Sequence, residues 1–205
     1  QLEGQAYRIV PIKHDDQLGR VVPGVTDAKL KMFRFRGLND PGVYFDENIR
    51  RMTDNYRNIF SHTAENMARQ GRIKEGLELM DWFMEQVPFT TIPGDEMSFA
   101  FMAQAYATLG EIQKAADIWK IAEPLILHNL RNATSTNEIN RAARFIEVIR
   151  GSYLEVRDFE GYARFMSEIS DITSDSSYRP TAAEIEAMFD ASEEQLQQDS
   201  LSANK

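Results

Sequence analysis

The sequence predicts a mainly α-helical fold: about three antiparallel helix hairpins, preceded by a small extended or β N-terminal segment and followed by a C-terminal capping helix. Three observations carry this. Apolar residues recur at helical spacing from about residue 46 to 173. Gly71 and Gly110, 39 residues apart, each sit in a short polar link between two such stretches. Thr181 and Glu184 have the spacing of a capping box ahead of an apolar stripe.

The first 45 residues hold most of the extended-chain signals. Ala6-Tyr7-Arg8-Ile9-Val10-Pro11-Ile12 is aromatic and β-branched, with Pro11 restricting it to an edge. Val22-Pro23-Gly24 has turn chemistry. Lys31-Met32-Phe33-Arg34-Phe35-Arg36 alternates basic and apolar residues at period two, the pattern of a half-buried strand; a hairpin with the first run is one pairing open to it, and nothing in the sequence fixes it. Asn39-Asp40-Pro41-Gly42 reads as a turn, and Asp46, followed by Glu47, stands where a helix N-cap belongs.

The helices follow in order. Ile49, Met52, Tyr56, Ile59, Phe60, Ala64 and Met67 share one face, and Gly71 stops that helix. Ile73, Leu77, Met80, Phe83 and Val87 make its partner, ended by Pro88. Phe99, Met102, Ala103, Tyr106 and Leu109 lead to Gly110; Ile112, Ala115, Ala116, Trp119 and Ala122 follow, ending near Pro124. A third pair runs through Phe145, Ile149 and Leu154, breaks at Arg157-Asp158, and resumes with Phe159, Tyr162, Phe165 and Ile169; its extra length falls in the polar stretch 131–137. Links this short force each pair to pack antiparallel. The last helix carries Ala182, Ile185, Met188, Phe189 and Leu196 on one stripe. The expected divisions are 1–45 extended, 46–178 helical repeats, 179–197 capping helix and 198–205 a flexible tail.

Composition narrows the function classes. The 205 residues include 42% hydrophobic side chains, enough for a core, and no cysteine, which excludes a thiol nucleophile, a disulfide framework and a cysteine zinc site. The net charge of −9 is concentrated at the end: residues 181–205 hold six acids and one base. The one basic cluster, Lys29, Lys31, Arg34 and Arg36, is too small for a duplex nucleic-acid face, so no nucleic acid is expected as a partner. No run of apolar residues is long enough to span a membrane, and no signal-peptide pattern opens the chain. The start at Gln1 points to a piece cut from a longer protein.

No catalytic, cofactor or metal constellation stands out. His14, His62 and His128 lack ligand spacing, and no phosphate-binding or nucleophile-elbow motif occurs. A carboxylate-based hydrolase is the enzymatic alternative, since acidic residues are plentiful and such chemistry needs only two of them across a cleft.

The pairs resemble tetratricopeptide repeats, which place a small residue seven before the link glycine, an aromatic four before it and a small residue five after it. Ala103, Tyr106 and Ala115 match all three around Gly110. Around Gly71 the residues are Ala64, Met67 and Gly76, with Pro88 at the closing position; the third copy offers Gly151, Leu154 and Ala163. The resemblance implies a peptide-binding surface on the first helices, which the glycine register assigns to Asn58, Ser61, Glu65, Gln104, Ala107, Ser152 and Glu155.

A second resemblance covers residues 2–52. Leu2-Glu3-Gly4-Gln5-Ala6-Tyr7-Arg8-Ile9-Val10-Pro11-Ile12-Lys13 and Gly37-Leu38-Asn39-Asp40-Pro41-Gly42-Val43-Tyr44-Phe45-Asp46-Glu47-Asn48-Ile49 look like the C-terminal region of bacterial multi-pass membrane proteins of unknown function that are similar to protein O-mannosyltransferases. It implies that the chain is the soluble tail of such a protein, on the extracytoplasmic face of the cell envelope. The tail would be non-catalytic and would bind an acceptor peptide or glycan, or the membrane portion of its own polypeptide, with transferase chemistry residing elsewhere. Asp40, Tyr44, Arg50 and Arg51 are then the docking candidates. The alternative is a free-standing tetratricopeptide-like adaptor for a protein partner.

Overall fold

The computed structural model describes residues 2–3, 5–7, 23–175 and 179–203, and it is mainly helical. In chain order the elements are β1 (Leu2–Glu3), β2 (Ala6–Tyr7), α1 (Pro23–Leu30), α2 (Glu47–Arg69), α3 (Ile73–Gln86), α4 (Glu96–Thr108), α5 (Ile112–Arg131), α6 (Thr136–Glu155), α7 (Phe159–Thr173) and α8 (Ala182–Ala203). They form two compact units, residues 1–118 and 119–205. Among the described residues no helix is long and apolar enough to cross a membrane.

In the first unit, α2 packs against α1, α3 and α4. Asp46 caps α2 as its sequence position requires, accepting from the Ile49 N–H at 2.9 Å. Asp95 does the same for α4 through Ser98. The core is aromatic: Phe60 stacks on Phe83 at 4.1 Å between ring centres, and Phe35 sits against Tyr56, Phe60, Trp82 and Phe83.

The described part of the N-terminal 45 residues departs from expectation. Pro23 and Gly24 open helix α1 instead of making a turn, as a proline can at the first helical position, where the missing N–H would have no partner. Residues 31–36 form no strand. Lys31, Met32 and Phe33 close α1 with N–H bonds to Asp27, Lys29 and Leu30 carbonyls, and the rest is extended without a ladder. β2 pairs antiparallel with β1, in the register Leu2 to Tyr7, and not with residues 31–36. The remainder of the expected 6–12 strand lies outside the described residues. Alternation in 31–36 serves another end: Phe35 enters the aromatic core while Arg34 and Arg36 stay exposed.

The buried stripe of α2 is also rotated from the one that periodicity suggests. Thr53, Arg57, Phe60, Ser61, Ala64 and Met67 are buried, whereas Ile49 and Met52 are 37% and 52% exposed. The reason is polar: Arg57 and Ser61 have partners inside the unit, so burying them leaves no orphaned charge or hydroxyl.

Three helix junctions share one hydrogen-bond pattern. After α2, Gly71 takes φ +75° and the Arg72 N–H returns to the Met67 carbonyl at 2.9 Å. After α4, Gly110 takes φ +86° and Glu111 returns to Tyr106 at 2.9 Å. After α6, Arg157 takes φ +56° and Asp158 returns to Tyr153 at 2.9 Å. A left-handed residue here lets the chain reverse while the last carbonyls of the helix are satisfied. The third junction therefore centres on Arg157, one residue before the Asp158 register, and the residues at the positions of Ala103, Tyr106 and Ala115 are Arg150, Tyr153 and Tyr162. Gly151 is exposed, and a Cβ there would meet nothing within 4 Å.

Three boundaries extend further than the sequence suggested. α5 continues through Pro124 to Arg131. The proline forfeits one backbone bond, but the continuation buries Ile126 and Leu127. α6 begins at Thr136, inside the stretch read as polar, because Ser135 and Glu138 form a full capping box. α8 runs to Ala203, so the expected flexible tail from residue 198 is helical through that point; no glycine or proline interrupts it. Its Thr181–Glu184 box is present. α8 packs on α7 through buried Ile185, while Met188, assigned to the covered stripe, is 72% exposed.

Candidate functional site

The second unit holds a groove of about 670 Å³ between α6, α7 and α8. α7 supplies Tyr162 and Met166, α6 supplies Leu154 and Arg150, and α8 supplies Ile185, Met188 and Phe189. Tyr162, Met166 and Ile185 are nearly buried and form the floor; exposed Met188 stands at the lip. The groove exists because α8 covers α7 through Ile185 and Phe189 without filling the space beside them.

The polar groups around it are held in place. Arg150 Nε donates to the Tyr162 hydroxyl at 2.8 Å, its guanidinium lies 5.4 Å from that ring's centre, and its Nη1 pairs with Glu147 at 2.7 Å. Burial opposes the Arg150 charge, but Tyr162 and Glu147 outweigh it and raise its pKa. Arg179 donates to Ser170 Oγ at 3.1 Å and to Asp171. Glu184, the one acid among the described residues that line the groove, is held below the usual carboxylate range by the Thr181 N–H and hydroxyl from which it accepts. An apolar floor bordered by held arginines and a carboxylate committed to Thr181 suits binding. Among the described residues no group of three or more His, Asp or Glu is placed to hold a metal ion.

Beside the groove lies a buried polar network. Glu123 on α5 is 4% exposed, accepts from the Tyr153 hydroxyl, and pairs with Arg164 Nη2 at 2.8 Å. Lys120 Nζ lies 5.6 Å from the centre of the Tyr153 ring and binds Asp158 at 2.8 Å. Burial raises the Glu123 pKa above 4.5, with Arg164 opposing. The folded chain therefore keeps a proton that the unfolded chain has released, so this contribution to stability is full below pH 4.5 and is lost as pH rises through the folded value. Glu123→Gln removes the titration. Its stability deficit against the parent is expected to be widest near pH 4 and to narrow toward pH 7, in urea melts of Trp82→Phe variants followed by Trp119 fluorescence. A constant or widening gap would contradict the shift.

No family model, curated protein or solved structure matches this chain.

The residues singled out from sequence fall in different places. Ser61 is 1% exposed, its hydroxyl 3.2 Å from the Met102 sulfur, and so is engaged within the first unit. Asn58 and Glu65 are half-buried on α2; burial pushes the Glu65 pKa up against the pull of Arg69. Gln104 is exposed and bonded to Thr108, and Ala107 is half-buried on the same helix. In the second unit Ser152 donates to the Ile149 carbonyl and Glu155 is exposed. Re-registering on Arg157 replaces Ser152 and Glu155 by Gly151 and Leu154, and Leu154 does line the groove. Of the docking candidates, Asp40 accepts from the Gly42 N–H at 2.8 Å, Tyr44 is 84% exposed, and Arg50 and Arg51 are exposed. Arg150, Tyr162 and Met188 were missed as site residues; nothing local in sequence marks them, because their grouping depends on α8 lying over α7.

Proposed function

We propose that this chain is a non-catalytic, tetratricopeptide-like interaction domain that takes a short apolar segment of a partner protein into the α6–α7–α8 groove. The observation that carries this is the groove itself: an apolar floor of Tyr162, Met166 and Ile185, bordered by Arg150 and Arg179, with Met188 exposed at its edge. Its size suits one or two apolar side chains and their backbone, and the arginines suit an acidic residue beside them. The likeness to tetratricopeptide repeats is supported by the three junctions closed in the same way at Gly71, Gly110 and Arg157.

The test is selection of peptides from a random library on the intact chain, followed by Met188→Glu. Selected peptides are expected to carry paired apolar residues with an acid, and to lose at least about ten-fold in affinity when a charge stands at the lip. Met188 is exposed, so the fold should survive. Peptides indifferent to Met188→Glu and to Arg150→Ala would overturn the assignment.

The resemblance of residues 2–52 supports a wider reading, in which the domain is the extracytoplasmic tail of a membrane glycosyltransferase-like protein and the captured segment belongs to an acceptor or to the membrane portion. Several apolar spans of about 20 residues encoded upstream of Gln1 are the expected finding. Their absence would remove this wider reading and favour a free-standing adaptor, with the groove unaffected.

A further inference from the structure

The rotation of α2 leaves an unusual surface on the first unit. Ile49, Met52 and Tyr56, with Leu38, line a shallow depression of about 310 Å³, and Arg34 and Arg36 stand on its rim. Seven of the thirteen exposed large hydrophobic side chains among the described residues fall between Val25 and Met52, and two of these, Ile49 and Met52, line the depression. Arg34 and Arg36 are exposed and enter no ion pair among the described residues. Of the acids nearest in sequence, Asp40 accepts from the Gly42 N–H, Asp46 from the Ile49 N–H, and Asp27 pairs with Arg72, while Glu47 is exposed at the start of α2. The segment carrying the arginines is anchored from behind, since Phe35 is set in the aromatic core between them. A chain with net charge −9 thus presents, at one place, two uncompensated guanidinium groups around exposed apolar side chains.

We propose that this face docks on an anionic lipid surface, with Arg34 and Arg36 against headgroup phosphates and Met52 and Ile49 at the acyl boundary. A bilayer surface offers negative charge and apolar contact in one plane and needs no deep pocket. A nucleic acid would reward the arginines but not the exposed Met52 and Ile49, and the depression is too shallow to enclose a free anion. This face belongs to the first unit and the groove to the second, so the proposal does not rest on the groove reading.

The experiment is co-sedimentation of the intact chain with phosphatidylcholine vesicles, with and without phosphatidylglycerol, over a range of salt concentrations. Binding is expected only with phosphatidylglycerol and should weaken with salt. Arg34→Gln with Arg36→Gln should lower affinity roughly 25-fold, from about five-fold per basic residue. Met52→Ser should weaken binding several-fold without changing its salt dependence. All three positions are exposed, so thermal melts should match the parent. Equal binding to both vesicle types, no binding by the folded chain, or an unaffected double variant would overturn the proposal. So would binding to polyglutamate or duplex DNA in the absence of vesicle binding.

Discussion

Arg57→Ala is expected to cost the first unit about 3–5 kcal/mol, the range seen when one member of a buried charged network is removed. Arg57 is fully buried on α2. Its Nη1 lies 2.9 Å from Asp54 Oδ1, its Nη2 donates to the Ile92 carbonyl, and its Cζ sits 4.1 Å from the centre of the Phe89 ring. Asp54 in turn accepts from Ser98 at the start of α4, and Gly94 lies so close that a Cβ there would be 3.0 Å from Nη1. One side chain thus ties α2 to the 87–95 connection and to the N-terminus of α4. Burial depresses its pKa to about 10, although Asp54 and Asp95 pull the other way. The same burial makes the vacated space and the orphaned Ile92 carbonyl costly. Lysine keeps the charge but not the planar fork, so Arg57→Lys should recover less than half the loss. Trp82 lies in the first unit and Trp119 in the second, so urea melts of Trp119→Phe variants read the first unit alone. A loss below about 1 kcal/mol would mean that Arg57 behaves like a surface ion pair.

Two alanine substitutions in the second unit should have opposite signs. At Gly161 an added Cβ would lie 2.3 Å from Tyr153 Cε1 and 2.8 Å from Asp158 Oδ2. Neither neighbour can yield cheaply. Tyr153 is 1% exposed and tied to Glu123 and Arg164, and Asp158 caps α7 through the Gly161 N–H at 2.9 Å while binding Lys120. Overpacking of this kind costs about 1–3 kcal/mol, and the loosened cap adds to it. Gly161→Ala should therefore destabilise by about 2 kcal/mol net, after the roughly 1 kcal/mol that alanine gains over glycine within a helix. Gly151, in α6, faces open space, so Gly151→Ala should stabilise by about 0.5–1 kcal/mol. Melts of Trp82→Phe variants, read through Trp119, separate the two. A stabilising Gly161→Ala would remove the close approach of α7 to Tyr153 from the account of this unit.

Much of the helical layout was legible because it depends on local chemistry. Asp46 and the Thr181–Glu184 pair are caps recognisable from their neighbours, and Gly71 and Gly110 mark reversals because glycine takes positive φ at little cost. The Ser135–Glu138 box is equally local, but the polarity of the surrounding stretch 131–137 masks it. Arg157 was read one residue late because an arginine in the left-handed region carries no local signal. The groove residues were not legible: Arg150 and Met188 are 38 positions apart, and only the seating of α8 on α7 brings them to one opening.

The sequence by itself determined that the chain is mostly helical, where most helices start and reverse, and that no cysteine chemistry is open to it. These follow from capping, glycine conformation and composition, each settled within a few residues. Tertiary structure decided which face of each helix is buried. Periodicity put Ile49 and Met52 inside; packing put Arg57 and Ser61 there instead, because the Ile92 carbonyl and the Met102 sulfur, both distant in sequence, take up the Arg57 Nη2 and the Ser61 hydroxyl. Burial of a polar side chain depends on what lies across the interface, and that is information no single helix carries.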